Sequence, residues 1–162
     1  MNIIQIDELT AEKIVPLIAA FRVALRSYKG IASEPDLQSA REEAFEFLSK
    51  GYPVYAAECC GEPAGYIVCR IEEPCLWVEH IFVSNQYRRR GVASALFSEA
   101  ERIAESMGDD TVYNFVHPNN EGMISFLRSK GYTVLNMVEI RKPYRGEKLS
   151  TTIRVDENAF DY

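Results

Sequence analysis

Apolar and polar positions follow two rhythms along this 162-residue chain, and the switches between them mark its elements. Short β-branched and aromatic runs predict strands over residues 2–6, 52–59, 64–71 and 74–83. Between the second and third, Cys60-Gly61-Glu62-Pro63 supplies hairpin chemistry. Apolar residues at helical spacing predict amphipathic helices over 8–26 and 35–50, the second with Leu37, Ala40, Ala44, Phe47 and Leu48 on one side. A third helical run carries Val92, Ala95, Leu96, Ile103, Ala104 and Met107 on one face, with Gly108 as its natural stop. A strand over 111–116 follows, then a helix capped by Asn119 or Asn120 that closes at Lys130-Gly131. Residues 132–140 and 149–155 read as a last hairpin around Pro143-Tyr144-Arg145-Gly146. The order is neither plain βαβ alternation nor all-β, so a mixed sheet covered by helices is expected.

Composition narrows the class. With 47% apolar and 26% charged residues this is an ordinary globular chain, long enough for one domain with a buried core. That domain is expected over 1–155, with 156–162 as a polar tail. No apolar run reaches the length of a membrane span and residues 1–9 lack a signal-peptide pattern, so a cytoplasmic protein without a membrane partner is expected. Four cysteines without a C-x-x-C pair, and only two histidines, give no zinc pattern; no metal is expected. The net charge of −6 argues against nucleic-acid binding, which depends on neutralising phosphates, and favours cationic partners such as amines.

Against that acidic background stands Arg88-Arg89-Arg90-Gly91-Val92-Ala93, after a strand and at a helix start. Free backbone amides and the positive end of a helix dipole meet there, and Gly91 and Ala93 offer little side chain to block an anion. The stretch reads as a diphosphate cradle; a solvated basic turn is the plain alternative.

Arg88-x-x-Gly91-x-Ala93 resembles the Q/R-x-x-G-x-G/A signature of the GNAT superfamily of acyl-CoA-dependent N-acetyltransferases. Val78-Glu79-His80-Ile81-Phe82-Val83 is similar to that family's fourth strand, and Asn120-Glu121-Gly122-Met123 through Lys130-Gly131-Tyr132 to its last helix. The resemblance spans residues 62–132. It implies an α/β (α+β) fold: a central mixed, mostly antiparallel sheet of about six or seven strands flanked by about four helices. It also implies an enzyme that moves an acetyl group from acetyl-CoA to a primary amine by direct attack. The backbone of Ile81, Phe82 and Val83 would line the acetyl-pantetheine arm. Arg88 and the N–H groups of Arg89, Arg90, Gly91, Val92, Ala93 and Ser94 would hold the diphosphate, and Asn120 would bond the pantetheine arm or cap its helix. A homodimer is compatible with this family.

An alkylammonium has a reference pKa of about 10.4, so roughly one amine in a few thousand is neutral at pH 7, and a general base is useful. Glu79, a charged residue in an apolar strand, is the candidate base; an exposed strand position is its alternative. By strand alternation His80 faces the opposite side, as a packed histidine. The position seven after Asn120, where relatives often carry a tyrosine acid, is Leu127. That departure motivates a second reading, a non-catalytic module that binds acyl-CoA without turnover. The acceptor, a small molecule or a peptide, is not specified by the sequence.

Overall fold

The computed structural model describes residues 1–162, which form two compact units, 1–126 and 127–162. In the first unit strand β1 (Asn2–Gln5) leads into Asp7, whose carboxylate accepts from the N–H groups of Leu9 and Thr10 and from the Thr10 hydroxyl. This turn and a short 3₁₀ helix (Ala11–Lys13) delay the first helix, α1, to Val15–Tyr28, with Pro16 in its first turn where a missing N–H costs nothing. Helix α2 (Leu37–Ser49) starts at Asp36, whose side chain accepts from the Ser39 N–H at 3.0 Å. Strands β2 (Val54–Cys59), β3 (Glu62–Glu72) and β4 (Cys75–Val83) form an antiparallel meander with β1, and β5 (Tyr113–Asn114) joins in parallel to β4. The sheet order is β1-β2-β3-β4-β5.

Helices cover both faces. Ile14, Val15, Ile18, Ala40, Ala44 and Phe47 from the α1/α2 layer pack on Val54, Ala56, Tyr66 and Val68. Helix α3 (Val92–Ser106) packs on β2, β3 and β4 through the other face, burying Leu96, Phe97, Ala100 and Ala104. Helix α4 (Glu121–Ser129) follows β5. No helix is long and apolar enough to cross a membrane.

The α/β class and the four helices stand as expected, but the central sheet has five strands rather than six or seven. The remaining two, β6 (Thr152–Val155) and β7 (Asn158–Asp161), belong to the second unit and pair with each other. The expected strand over 132–140 does not form. Its apolar residues come in pairs, Val134-Leu135 and Met137-Val138, a spacing that gives no single strand face. The expected polar tail from Asp156 is instead the turn and second arm of a hairpin: Val155 faces Asn158 across two residues, with Asp156 at φ 53°, a conformation aspartate tolerates.

Candidate active site

The predicted site residues all lie in the first unit: Glu79 and 81–83 in β4, 88–94 at the start of α3, and Asn120 just before α4. Val68 of β3 faces His80 and Cys69 faces Val78, so Glu79 is an extra residue in β4, a β-bulge. The bulge breaks strand alternation. Glu79 Oε2 bonds the Arg70 Nε at 3.0 Å, and Arg70 shares the sheet face of Tyr66 and Val68. Tyr66 in turn bonds His80. Glu79 and His80 therefore share the α1/α2 face, which corrects the expectation that they point apart. Arg70 also pairs with Glu72 and lies 5.7 Å over the Trp77 ring.

Beyond Val78 no strand pairs with the outer edge of β4, because the β5 pairing stops at Asn114. On the inner edge, the Ser84 N–H donates to the Ala64 carbonyl at 2.9 Å, which sets the phase of the antiparallel ladder. Residues 82 and 80 are then in hydrogen-bonded pairs with β3, while the N–H and C=O groups of Ile81 and Val83 point to the open edge. Of the three predicted backbone contributors, Ile81 and Val83 face the gap, whereas the peptide groups of Phe82 belong to the β3 ladder. The close approach depends on Gly65: a Cβ there would sit 2.6 Å from the Phe82 carbonyl oxygen.

After β4 the chain makes a 3₁₀ turn (Asn85–Tyr87) and reaches the basic loop. Arg88 turns back, its Nε donating to the Val83 carbonyl at 3.0 Å with the guanidinium 5.8 Å from the Phe82 ring centroid. Arg89 has φ 59° and Gly91, the residue before α3, has φ 81°. The first amide to find a carbonyl is that of Ala95, bonded to Gly91. None of the six amides from Arg89 to Ser94 donates to a protein acceptor. A run of free amides at the positive end of a 15-residue helix is suited to an anion with several oxygens. No side chain stands within 4 Å of where a Gly91 Cβ would project, so the cradle is open on that side.

At the head of α4, Asn120 Oδ1 accepts from the Met123 N–H at 3.1 Å, the capping role foreseen for it, and its Nδ2 has no protein acceptor. The preceding loop is tied to α1: Asn119 Nδ2 donates to the Tyr28 carbonyl at 2.9 Å, and the His117 ring stacks on Tyr28 at 5.8 Å. Burial, then Lys29, pushes the His117 pKa down.

Behind the bulge lies a buried polar network absent from the sequence-based expectations. His80 is 5% exposed, wedged between Phe21 at 4.3 Å and Phe47 at 5.0 Å. Its Nδ1 is 3.0 Å from the hydroxyl of the fully buried Tyr66, and its Nε2 faces Glu43 Oε1 at 3.5 Å. Glu43 is held by both arms of Arg22. Burial, and secondarily Arg22, lowers the His80 pKa to about 3, so the ring is neutral. Arg22 and Glu43 also line an open cleft of about 730 Å³ between α1 and α2, with Arg26, Lys29, Ser33 and Asp36.

The bulge announces itself in sequence only as a charge in an apolar strand. Gly65 is a glycine inside a strand pattern, a recognised sign of close backbone approach. Arg22 and Glu43 carry no signal, because their partner lies far along the chain.

Comparisons with known proteins bear on the family and the fold. An uncharacterized N-acetyltransferase of Methanocaldococcus jannaschii is 27% identical over 96 residues, 52% of this chain and 41% of that protein, so the match spans less than half of its length. Among solved structures, the aminoglycoside N-acetyltransferase AAC(6')-Iy, in complex with a bisubstrate analog of CoA and acetylneamine, superposes with a TM-score of 0.68 at 18% identity. It covers 89% of this chain and 98% of that one. The aminoglycoside 6'-N-acetyltransferase AAC(6')-IG of Acinetobacter haemolyticus gives 0.67 at 20% identity, over 90% and 99%. At such identities the likeness concerns the fold. Residues 18–132, most of the sequence and the stretch from within α1 to beyond the end of α4, match the acetyltransferase (GNAT) family, and the chain belongs to that family.

Proposed function

We propose that this chain transfers an acetyl group from acetyl-CoA to a primary amine, with the open edge of β4 and the start of α3 as the coenzyme site. The observation that carries the reading is the unbroken run of unbonded amides from Arg89 to Ser94 beside an unpaired strand edge. Those amides hold the diphosphate. The pantetheine arm runs along the N–H and C=O groups of Ile81 like an added strand, and the Asn120 Nδ2 is a further donor to it. Arg88 contributes through its bond to Val83 rather than by charge. In this reading the coenzyme site lies within residues 1–126.

The chemistry asks for three things of the protein. The amine must be neutral when its nitrogen attacks the thioester carbon, so a base must take its proton; Glu79, partly exposed on the α1/α2 face, does this directly or through water. The negative charge that develops on the carbonyl oxygen needs a donor, and the Val83 N–H on the open edge serves. When the carbon–sulfur bond breaks, the thiolate leaves with a reference pKa of about 8.5, a tolerable leaving group without a dedicated acid. The aminoglycoside N-acetyltransferases among the structural relatives make small polar amines the first acceptors to try.

The test is direct. Incubation with acetyl-CoA and a panel of aminoglycosides, polyamines, small amines and peptides should release free thiol with at least one acceptor. The apolar Leu127, at the position where a tyrosine acid is common, favours a second reading as a binding module without turnover. Coenzyme A binding by calorimetry with no thiol release on any acceptor would select that reading, and no binding would end both.

A further inference from the structure

We infer that His80 is a positioning residue for Glu79, locking the bulge of β4 to helices α1 and α2 through Glu43 and Tyr66, and this rests on the acetyl-transfer reading above. A bulge residue lacks a partner across the ladder, so its side chain is aimed by what fixes its neighbours. On one side of Glu79, Val78 returns to the regular ladder opposite Cys69. On the other, His80 is held from three directions: by its pairing to Val68, by the Phe21 and Phe47 rings, and by polar partners at both ring nitrogens.

The hydrogens of that network have a defined order. Glu43, bonded by Arg22, can only accept, so the hydrogen of the neutral imidazole lies on Nε2. Nδ1 is then the acceptor, and the Tyr66 hydroxyl donates to it. The chain of bonds links β3, β4, α2 and α1 in one direction. Its outer end, Arg22 and Glu43, borders the α1/α2 cleft, and His80, at its centre, is the chain neighbour of the carboxylate proposed to handle the proton. Around Glu79 itself the charged groups are Arg70 at 3.0 Å and, at longer range, Arg22 and Lys50. His80 contributes no charge of its own; it sets where the carboxylate points.

A double-mutant cycle tests this. His80→Leu should lower kcat by about tenfold or more, with the coenzyme A Kd changed less than about twofold. In a Glu79→Gln background the same substitution should cost less than about threefold, because there is no base left to aim. His80→Gln, which keeps an N–H near the place of Nε2, should recover most of the rate. The acidic limb of the kcat–pH profile should move in His80→Leu and return in His80→Gln. If His80→Leu does not fold, Tyr66→Phe, the removal of one hydroxyl, enters the same cycle. Full additivity with Glu79→Gln, an unchanged kcat in folded His80→Leu, or full activity of Glu79→Gln would each overturn the inference while wild-type activity stands. A wild type that releases no thiol on any acceptor would overturn the functional reading and this one together.

Discussion

Arg88 Nε donates to the Val83 carbonyl at 3.0 Å, closing the end of β4 against the loop that opens α3. A residue read in the sequence as part of a cationic cradle thus has its guanidinium directed at its own backbone. Its bond removes one carbonyl from the open edge and fixes the path of the chain into the free amides. Arg88→Ala should weaken coenzyme A binding by about tenfold, the worth of the one hydrogen bond that holds Val83 and the loop in place. Arg88→Gln, which keeps a donor without the charge, should stay within about threefold of wild type by calorimetry. A loss in Arg88→Gln as large as in Arg88→Ala would mean that the charge, not the donor, matters.

Gly91 stands at φ 81° immediately before α3. A β-branched residue there faces the strain of the left-handed region, about 1–2 kcal/mol for an ordinary L-residue, with no steric clash to add. Relief of that strain would rotate the amides of Gly91 and Val92 away from their common target. Gly91→Val should therefore raise the coenzyme A Kd by about tenfold or more while lowering stability by only about 1–2 kcal/mol. Unchanged affinity in a folded Gly91→Val protein would remove the cradle assignment.

Gly65 makes a different demand. Its φ is ordinary, but a Cβ would meet the Phe82 oxygen at 2.6 Å, so β3 and β4 must part. Gly65→Ala should cost about 1–3 kcal/mol in denaturant unfolding, the range for overpacking a tight site. It should also reduce coenzyme affinity by moving Val83. Wild-type stability would show that the two strands can separate freely.

The buried His80 predicts an acid-side dependence of stability. Its pKa is about 3 in the folded protein against an ordinary 6.5. Between those values the unfolded chain binds a proton that the folded chain does not, so stability falls as pH drops through this window. The slope approaches about 1.4 kcal/mol per pH unit for one proton. His80→Gln should flatten the curve between pH 6.5 and 4 relative to wild type. Parallel curves for the two proteins would show that His80 is protonated in the fold.

Much of this site was legible in the sequence because it is local. The strand, the glycine and the helix start lie within about twenty consecutive residues, and hydrophobic rhythm locates them. Asn120 was legible for the same reason, as a cap at the head of an apolar helical run. What escaped is non-local or depends on one extra residue. A charge in an apolar strand is the one sign at Glu79, and it suits an exposed position of a regular strand as well as a bulge, so strand alternation gives the wrong facing for His80. The Arg22–Glu43 pair joins two helices, and its buried partner is more than thirty residues further on. The apolar run at 132–140 misled for the opposite reason: residue type suits a strand, but the spacing does not.

The unmatched residue in β4 gives the strand two independent phases. Val78 and His80 have the same parity yet address different layers, the first toward α3 and the second toward α1 and α2. Excising Glu79 would remove the carboxylate and the bulge together and leave Cys75 through Val78 on the faces they already occupy, because Val78 and His80 would then alternate as ordinary neighbours.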